Sequence, residues 1–523
     1  MNSFKRYRLY SKWFDSGKRD SDLKEKSIKG GISTSVYQVV SFGLNMLATF
    51  VMARILLPSD FGLVGMVTAF TGLASIVQDL GLSMAVVQRE QISHRQVSNL
   101  FWVNIFVCLC IGLVFVCISP LIVSLYHNDS RIYPILFSYA AGIAIGGVSI
   151  QHNALLTRRM KFALIAKGQI ISSILSVFCG VGAALLGMGY WAIVILNLSV
   201  SIFYSGFAWL LCDWRPSLPS KSQGIVEFLH FGAGISGFNI INYFSRNSDN
   251  VLLGQRLGPT VVGFYSKAFQ LLMLPLNQLR NPLVTVALPA MSALSSDPMR
   301  YINYYKKYVF LLSFFSMPVV VCLGFFSNEL ILIVLGKQWL PSGQIFRGLA
   351  ISGFIQPVAS SIGLVMISSG HSSKYFIWGC INAAVTIGGF LVGIHWGVNG
   401  IVYSLAITTY GLLLPSLWFA FRGTPLRIRF FFNEILSPIC HTAILCFIVW
   451  VLDFLFNRFI GPLSFFCLVI PIGIGFYYLS WKCYPSGRKK VKTIEEVVSM
   501  CLNKVTTGMP IFGSLIRRIT VYL

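Results

Sequence analysis

Apolar runs of helical length, broken by short polar connections, recur from residue 32 to residue 481. A bilayer core needs about 20 apolar residues per helical span, and by that measure the chain holds about fourteen candidates. They run over 32–56, 61–88, 98–122, 132–156, 165–187, 189–211, 229–256, 261–289, 307–332, 345–369, 374–395, 398–421, 431–456 and 460–481. Helix-breaking Gly258 and Pro259 set the corner between the seventh and eighth. Pro275, Pro282 and Pro289 recur every seven residues in the eighth. Each removes a backbone hydrogen bond, so the pattern predicts a bent helix. Gly142, Gly146 and Gly147 predict close packing in the fourth.

A shift of 201 residues lays the first two spans on the seventh and eighth. Gln38 then meets Asn239, Ser41 meets Asn242, Asn45 meets Arg246, Pro58 meets Pro259 and Gly62 meets Gly263. The shift preserves membrane direction, which predicts a parallel duplication: two six-helix bundles related by a pseudo-two-fold along the membrane normal, plus two further helices. The chain is therefore expected to be an all-α polytopic membrane protein. Its predicted parts are a basic tail (1–31), a first bundle (32–211), a linker (212–228), a second bundle (229–421), two added spans (422–481) and a second basic tail (482–523).

Polar residues inside these spans form stripes. Thr34, Gln38, Ser41, Asn45 and Thr49 share one face of the first span; Asn239, Asn242, Arg246 and Asp249 share one face of the seventh. Helix packing through small polar residues explains the first stripe as well as a cavity does. Burying unpaired charge costs several kcal/mol, roughly, so Arg246 and Asp249 predict a water-filled cavity or a charge partner. Arg54 and Lys267 lie close enough to span ends to snorkel. Asp79 and Arg280 are again 201 apart. Two separate interfacial residues are the simpler reading; a pair across the pseudo-two-fold, forming a gate, is the sharper one.

Composition sharpens the picture. Only 11% of residues are charged and 55% are hydrophobic, whereas a soluble domain carries about 25% charged residues. Lys and Arg number 41 against 17 Asp and Glu, a formal +24. In a membrane protein that excess implies positive-inside topology and anionic headgroups before it implies nucleic acid. One set of loops carries Arg89, Arg95, Arg158, Arg159, Lys161, Lys167, Arg215, Lys221, Arg300, Lys306, Lys307, Lys374, Arg422, Arg427 and Arg429. The other carries Arg131, Arg256, Lys337, Arg347 and Arg458. The bias predicts that both termini are cytoplasmic. The amino-terminal tail is too polar for a signal peptide. Ile494, Val497, Val498 and Cys501 predict an interfacial helix in the other tail.

Catalytic and metal-binding signatures do not emerge. The twelve cysteines form no CxxC pair, and His152 and His371 fall near predicted helix ends, where solvation or capping is their expected role. The sequence has no GxxxxGK[ST], HExxH or GxSxG motif, and its loops are too short for a catalytic domain. No cofactor or metal is expected. A membrane glycosyltransferase or polymerase remains the enzymatic alternative.

The segments ARILLPSDFGLVGMVTAF and QDLGLSMAVVQRE resemble the opening of bacterial polysaccharide transporters, the Wzx-type flippases and colanic-acid exporter-like proteins. RNSDNVLLGQRLGPTVVGFYSKAFQLLMLPLNQL, with VALPAMSAL, resembles their second-half counterpart through Asp249, Asn250, Gly254, Gly258, Gly263 and Tyr265. The resemblance implies the multidrug/oligosaccharidyl-lipid/polysaccharide superfamily, a V-shaped pair of bundles and a bacterial inner-membrane location. It also implies flipping of undecaprenyl-diphosphate-linked oligosaccharide to the periplasmic leaflet, with a small-molecule exporter as runner-up. Under this reading Arg246 meets diphosphate or acidic sugar, and Asn239, Asn242, Gln38, Ser41 and Asn45 bind hydroxyls. Asp249 either pairs with Arg246 or binds a coupling H+ or Na+. A polysaccharide polymerase and a chain-length regulator are candidate partners beside the lipid bilayer.

Overall fold

The computed structural model describes residues 23–79, 81–89, 92–219, 225–456, 462–483, 487, 488, 490–492 and 495. The predicted amino-terminal tail before Leu23 and the amphipathic helix expected around Val497 lie outside them. Helices dominate the described residues, which contain no strand. In chain order they are α1 Leu23–Ile55, α2 Pro58–Val77, α3 Leu82–Gln88, α4 His94–Leu125, α5 Ile132–Gly147, α6 Ile150–Arg158, α7 Phe162–Leu185, α8 Trp191–Leu211 and α9 Ile225–Ala293. Then follow α10 Pro298–Phe325, α11 Ser327–Val334, α12 Pro341–Ala359, α13 Ser361–Ser368, α14 Ser372–Gly393, α15 Gly397–Gly411, α16 Leu413–Phe421, α17 Ile428–Phe456 and α18 Pro462–Lys482.

Every predicted span has a helix beneath it, but several are broken where the hydropathy runs on. The second span ends as α2 at Val77 and resumes as α3, whose first turn is held by the Asp79 carboxylate accepting from Ser83 N (3.1 Å) and Ser83 Oγ (2.6 Å). The fourth span breaks at Val148–Ser149, between α5 and α6. The twelfth breaks at Leu412, where Pro415 has no N–H to give the Gly411 carbonyl. Within α9 the described backbone leaves helical geometry at Gly258 (φ 81°, ψ 178°), the predicted corner. A left-handed φ suits glycine there, and Pro259 then opens the next span with a preset φ.

Two compact units account for the packing. The first gathers the chain as far as Lys267, with Val334–Ser342 and Gly379–Ser404; the second holds Ala268–Ile333, Gly343–Trp378 and Leu405 onward. In the first, α1 packs on α7, α4 on α5, and α5 on α8. In the second, α10 and α18 both pack on α17. The faces are sorted as a lipid solvent requires. Helix α4 buries Asn104, Cys108 and Gly112 while exposing Phe106, Leu109, Leu113 and Val116. Helix α17 exposes Phe447, Trp450 and Phe454 in the same way. This is a multi-pass membrane protein.

Beyond α8 the chain continues into a segment fastened within the first unit. Trp214 Nε1 donates to His94 Nδ1 (3.0 Å), and Trp102 Nε1 donates to Ser217 O (2.8 Å). His152, expected at a solvated helix end, is instead fully buried and stacked on Trp209 at 4.7 Å. The break between α5 and α6 turns it inward against Phe101 and Trp214.

Candidate functional site

A cavity of about 620 Å3 opens inside the first unit, lined by α2, α5 and α8 with Tyr243 of α9. Its size falls in the range of about 300–1,000 Å3 usual for small-ligand sites. Hydroxyls come from Thr68, Thr71, Ser138, Ser149, Ser201 and Ser205, phenols from Tyr139, Tyr204 and Tyr243, and amides from Gln78 and Asn197. Asp79 is the one charged residue among the described lining. Gly142 and Gly146 line the same space. A methyl group on Gly142 would lie 3.5 Å from Leu198, and one on Gly146 would lie 3.0 Å from Gln78 Nε2. Of the three glycines expected to mark packing, Gly147 does so against Cys108; the other two line the cavity.

Much of the hydrogen in this lining is already committed. Ser138, Ser149, Ser205, Thr68 and Thr71 donate to helix carbonyls at Pro134, Gly146, Ile145, Gly65 and Val67. Tyr204 gives its proton to Asn153 Oδ1 (2.6 Å), and Tyr243 gives its proton to Thr68 O (2.6 Å). Gly72 is required at that last contact, because a methyl group there would sit 1.9 Å from the Tyr243 hydroxyl. Asn197 Nδ2 donates to Tyr139 Oη (2.9 Å), and Gln78 Nε2 donates to Ile143 O (3.4 Å). Asp79 receives both Ser83 bonds on Oδ1.

Some six residues before Thr68, about 9 Å along α2 at the usual helical rise, the two predicted repeats touch. A methyl group on Gly62 would meet Pro259 O at 1.6 Å, and one on Gly263 would meet Pro58 O at 2.0 Å. Equivalent residues meet reciprocally, as an isologous contact requires. Trp339, fully buried, seals this end: Nε1 donates to Ala53 O (2.7 Å), and the ring lies edge-on to Phe61 and Phe264. Gln338 Nε2 donates to Ala53 O (2.5 Å) and Leu56 O (3.0 Å). From the first repeat, His127 Nε2 donates to Gln255 O (2.6 Å). Each repeat thus supplies a loop side chain to the helix end of the other.

The sequence-predicted residues divide between these features and others. Asp79 lines the cavity. Gln38 and Asn45 are exposed and Ser41 is half-buried, with Asn45 Nδ2 3.4 Å from Ser41 Oγ. Their side of α1 is therefore not tightly packed, and none of the three lines the cavity. Arg246 is exposed. Asp249 is buried: Tyr265 Oη donates to Oδ2 (2.7 Å) and Asn250 N to Oδ1 (2.7 Å). The fold-back at Gly258 brings Tyr265 to the Asp249 carboxylate. The side chains of Asn239 and Asn242 lie outside the described residues. Arg280 belongs to the second unit, where its Nε and the hydroxyl of Tyr308 are buried without hydrogen-bond partners. Sequence reading missed Tyr139, Asn197, Ser201, Tyr204 and Tyr243. The spacing of Asn197, Ser201, Tyr204 and Ser205 on one face of a single span was the available signal.

A family profile described as "Polysaccharide biosynthesis protein" matches residues 51–344, more than half of the chain. The chain belongs to this family. It is 25% identical to the lipopolysaccharide biosynthesis protein WzxC of Escherichia coli (strain K12), over 71% of this chain and 77% of that protein. It is also 25% identical to the teichuronic acid biosynthesis protein TuaB of Bacillus subtilis (strain 168), over 80% of this chain and 88% of the relative. The succinoglycan biosynthesis transport protein ExoT of Rhizobium meliloti (strain 1021) is 25% identical, with 77% and 81% covered. Among solved structures, the lipid II flippase MurJ in an inward closed conformation matches with a TM-score of 0.69 at 15% identity, covering 85% of this chain and 97% of that one. An inward-facing multidrug resistance MATE transporter matches at 0.60 and 16% identity, covering 75% and 98%. These likenesses establish the all-α fold, and the family establishes a membrane protein of polysaccharide biosynthesis.

Proposed function

We propose that this protein moves undecaprenyl-diphosphate-linked oligosaccharide units from the cytoplasmic to the periplasmic leaflet by alternating access, for cell-surface polysaccharide assembly. The observation that carries the reading is a large hydroxyl-, phenol- and amide-lined cavity within a protein whose outer faces are apolar. A sugar head cannot cross hydrocarbon without polar contacts, since each unmet polar group costs several kcal/mol, roughly. The cavity offers those contacts while the lipid tail remains in the bilayer.

In line with the loop-charge bias, the Gly62–Gly263 crossing is proposed to lie on the periplasmic side and its contact to be the closed outer gate. Arg246 is proposed to meet the diphosphate, with Gln38, Ser41, Asn45, Asn239 and Asn242 along the sugar path. Asp249, buried with Tyr265, is proposed to hold the gate end of α9 together; coupling to H+ or Na+ is the second role to test. Bundles over 32–211 and 229–421 are proposed as the moving halves. Replacing Arg246 with Ala is expected to cut export at least tenfold at normal membrane abundance, while full export would remove it from the mechanism. The likeness to a multidrug transporter sustains one competing reading, a small-molecule exporter. Cells lacking the protein would then lose toxin resistance and retain glycan export.

A further inference from the structure

Hydrogen-bond bookkeeping narrows the cavity's ligand. Thr68, Thr71, Ser138, Ser149 and Ser205 give their protons to backbone carbonyls, and Tyr204 and Tyr243 give theirs to Asn153 and Thr68. Asn197 spends an N–H on Tyr139, leaving its Oδ1 without a partner among the described residues, as is Asp79 Oδ2. Remaining capacity is therefore mostly acceptor capacity. The one charge in the described lining is negative, and no Lys, Arg or His stands among it.

We propose that this cavity takes a sugar ring that donates hydrogen bonds and carries no negative charge, a neutral or amino sugar, and discriminates against uronic and other acidic sugars. A neutral sugar presents several O–H donors to this acceptor-rich wall. An ammonium group adds a charge-assisted bond to Asp79. A carboxylate replaces a donor with a further acceptor, leaves protein acceptors unmet and stands in the field of Asp79. Tyr139 is among the few donors left in the lining: it accepts from Asn197 and keeps its proton for a ligand oxygen. The inference rests on the flippase reading for its location, with the sugar head separated from a diphosphate that is met elsewhere.

The test uses the full-length protein in nanodiscs and three soluble probes of matched shape: methyl glucoside, methyl glucosaminide and methyl glucuronide, at pH 7. Binding is followed by calorimetry or saturation-transfer NMR. The glucoside and glucosaminide are expected to bind, and the glucuronide to bind at least about tenfold more weakly, a difference of ~1.4 kcal/mol. Asp79→Asn keeps both the shape and the helix-capping chemistry, and is expected to bring the glucuronide within about threefold of the glucoside. Asn197→Leu is expected to weaken both favoured probes, with Tyr139→Phe as the gentler second variant at the same contact. Equal or tighter glucuronide binding overturns the inference, as does glucoside binding that neither Asn197→Leu nor Tyr139→Phe alters, or binding of no probe. Transport is measured separately on the same preparation. If lipid-linked glycan still crosses while the glucuronide binds equally well, the selectivity fails and the proposed function stands; if no lipid-linked glycan crosses, the function fails.

Discussion

Gly62 and Gly263 each stand where one methyl group would collide with a carbonyl oxygen of the other repeat. The obstacle is backbone, which cannot rotate away as a side chain can. Gly62→Leu is therefore expected to hold the crossing apart, lowering glycan export at least tenfold and raising thiol-reagent labelling of a cysteine placed at Met66. Unchanged labelling would show that the crossing tolerates bulk. Trp339 makes a graded counterpart. Trp339→Phe keeps the ring against Phe61 and Phe264 but loses the bond to Ala53 O, a cost of about 1 kcal/mol. Trp339→Ala loses the packing as well, and a cost of about 3–5 kcal/mol is expected in thermal unfolding of the detergent-solubilised protein. Equal losses in the two variants would contradict the packing role.

Beyond the last turn of α4, Asp129 holds the turn into α5. It accepts from Arg131 N (3.1 Å) and faces the guanidinium at 2.7 Å, and the side-chain bond from Arg131 holds its carboxyl below the usual range. A depressed carboxylate pKa stabilises the fold above the unfolded-state value and loses that contribution as pH falls through the folded-state value. Asp129→Asn should therefore cost under about 1 kcal/mol at pH 7, as for an exposed pair. The gap between wild type and variant should close as pH falls through and below the ordinary Asp range. A gap that widened in acid would refute the assignment.

At the scale of helices, hydropathy and turn chemistry made every span legible, because a bilayer enforces length and apolarity together. Gly258 and Pro259 announced their corner, and the reciprocal glycine contact accounts for the proline and glycine pairs, Pro58 with Pro259 and Gly62 with Gly263, that a 201-residue shift superposes. The mid-span break at Ser149 has no proline to announce it in an otherwise apolar run, whereas Pro415 was the readable signal for the break at Leu412. Polar stripes drew attention to α1 and α9, but the described cavity is walled, Asp79 apart, by neutral side chains. Tyr139, Asn197 and Tyr204 look like ordinary span residues until tertiary packing brings three helices around one space. Asp79 was singled out for a gate and is found both capping α3 and lining that space.

For the whole molecule, the duplication is the feature that ties gate to cavity. Asp79 and Arg280 hold equivalent positions in the two repeats, and their pairing is a separate proposal about the cytoplasmic side. Arg280→Glu should abolish export, and Asp79→Arg in the same chain should restore a measurable fraction; absence of rescue would sink the pair. The central claim concerns cargo and direction, and the most direct measurement is leaflet-resolved accumulation of undecaprenyl-diphosphate glycan in cells that lack this protein and keep their polymerase. The account predicts intact repeat units trapped on the cytoplasmic leaflet. Normal crossing of those units would contradict it.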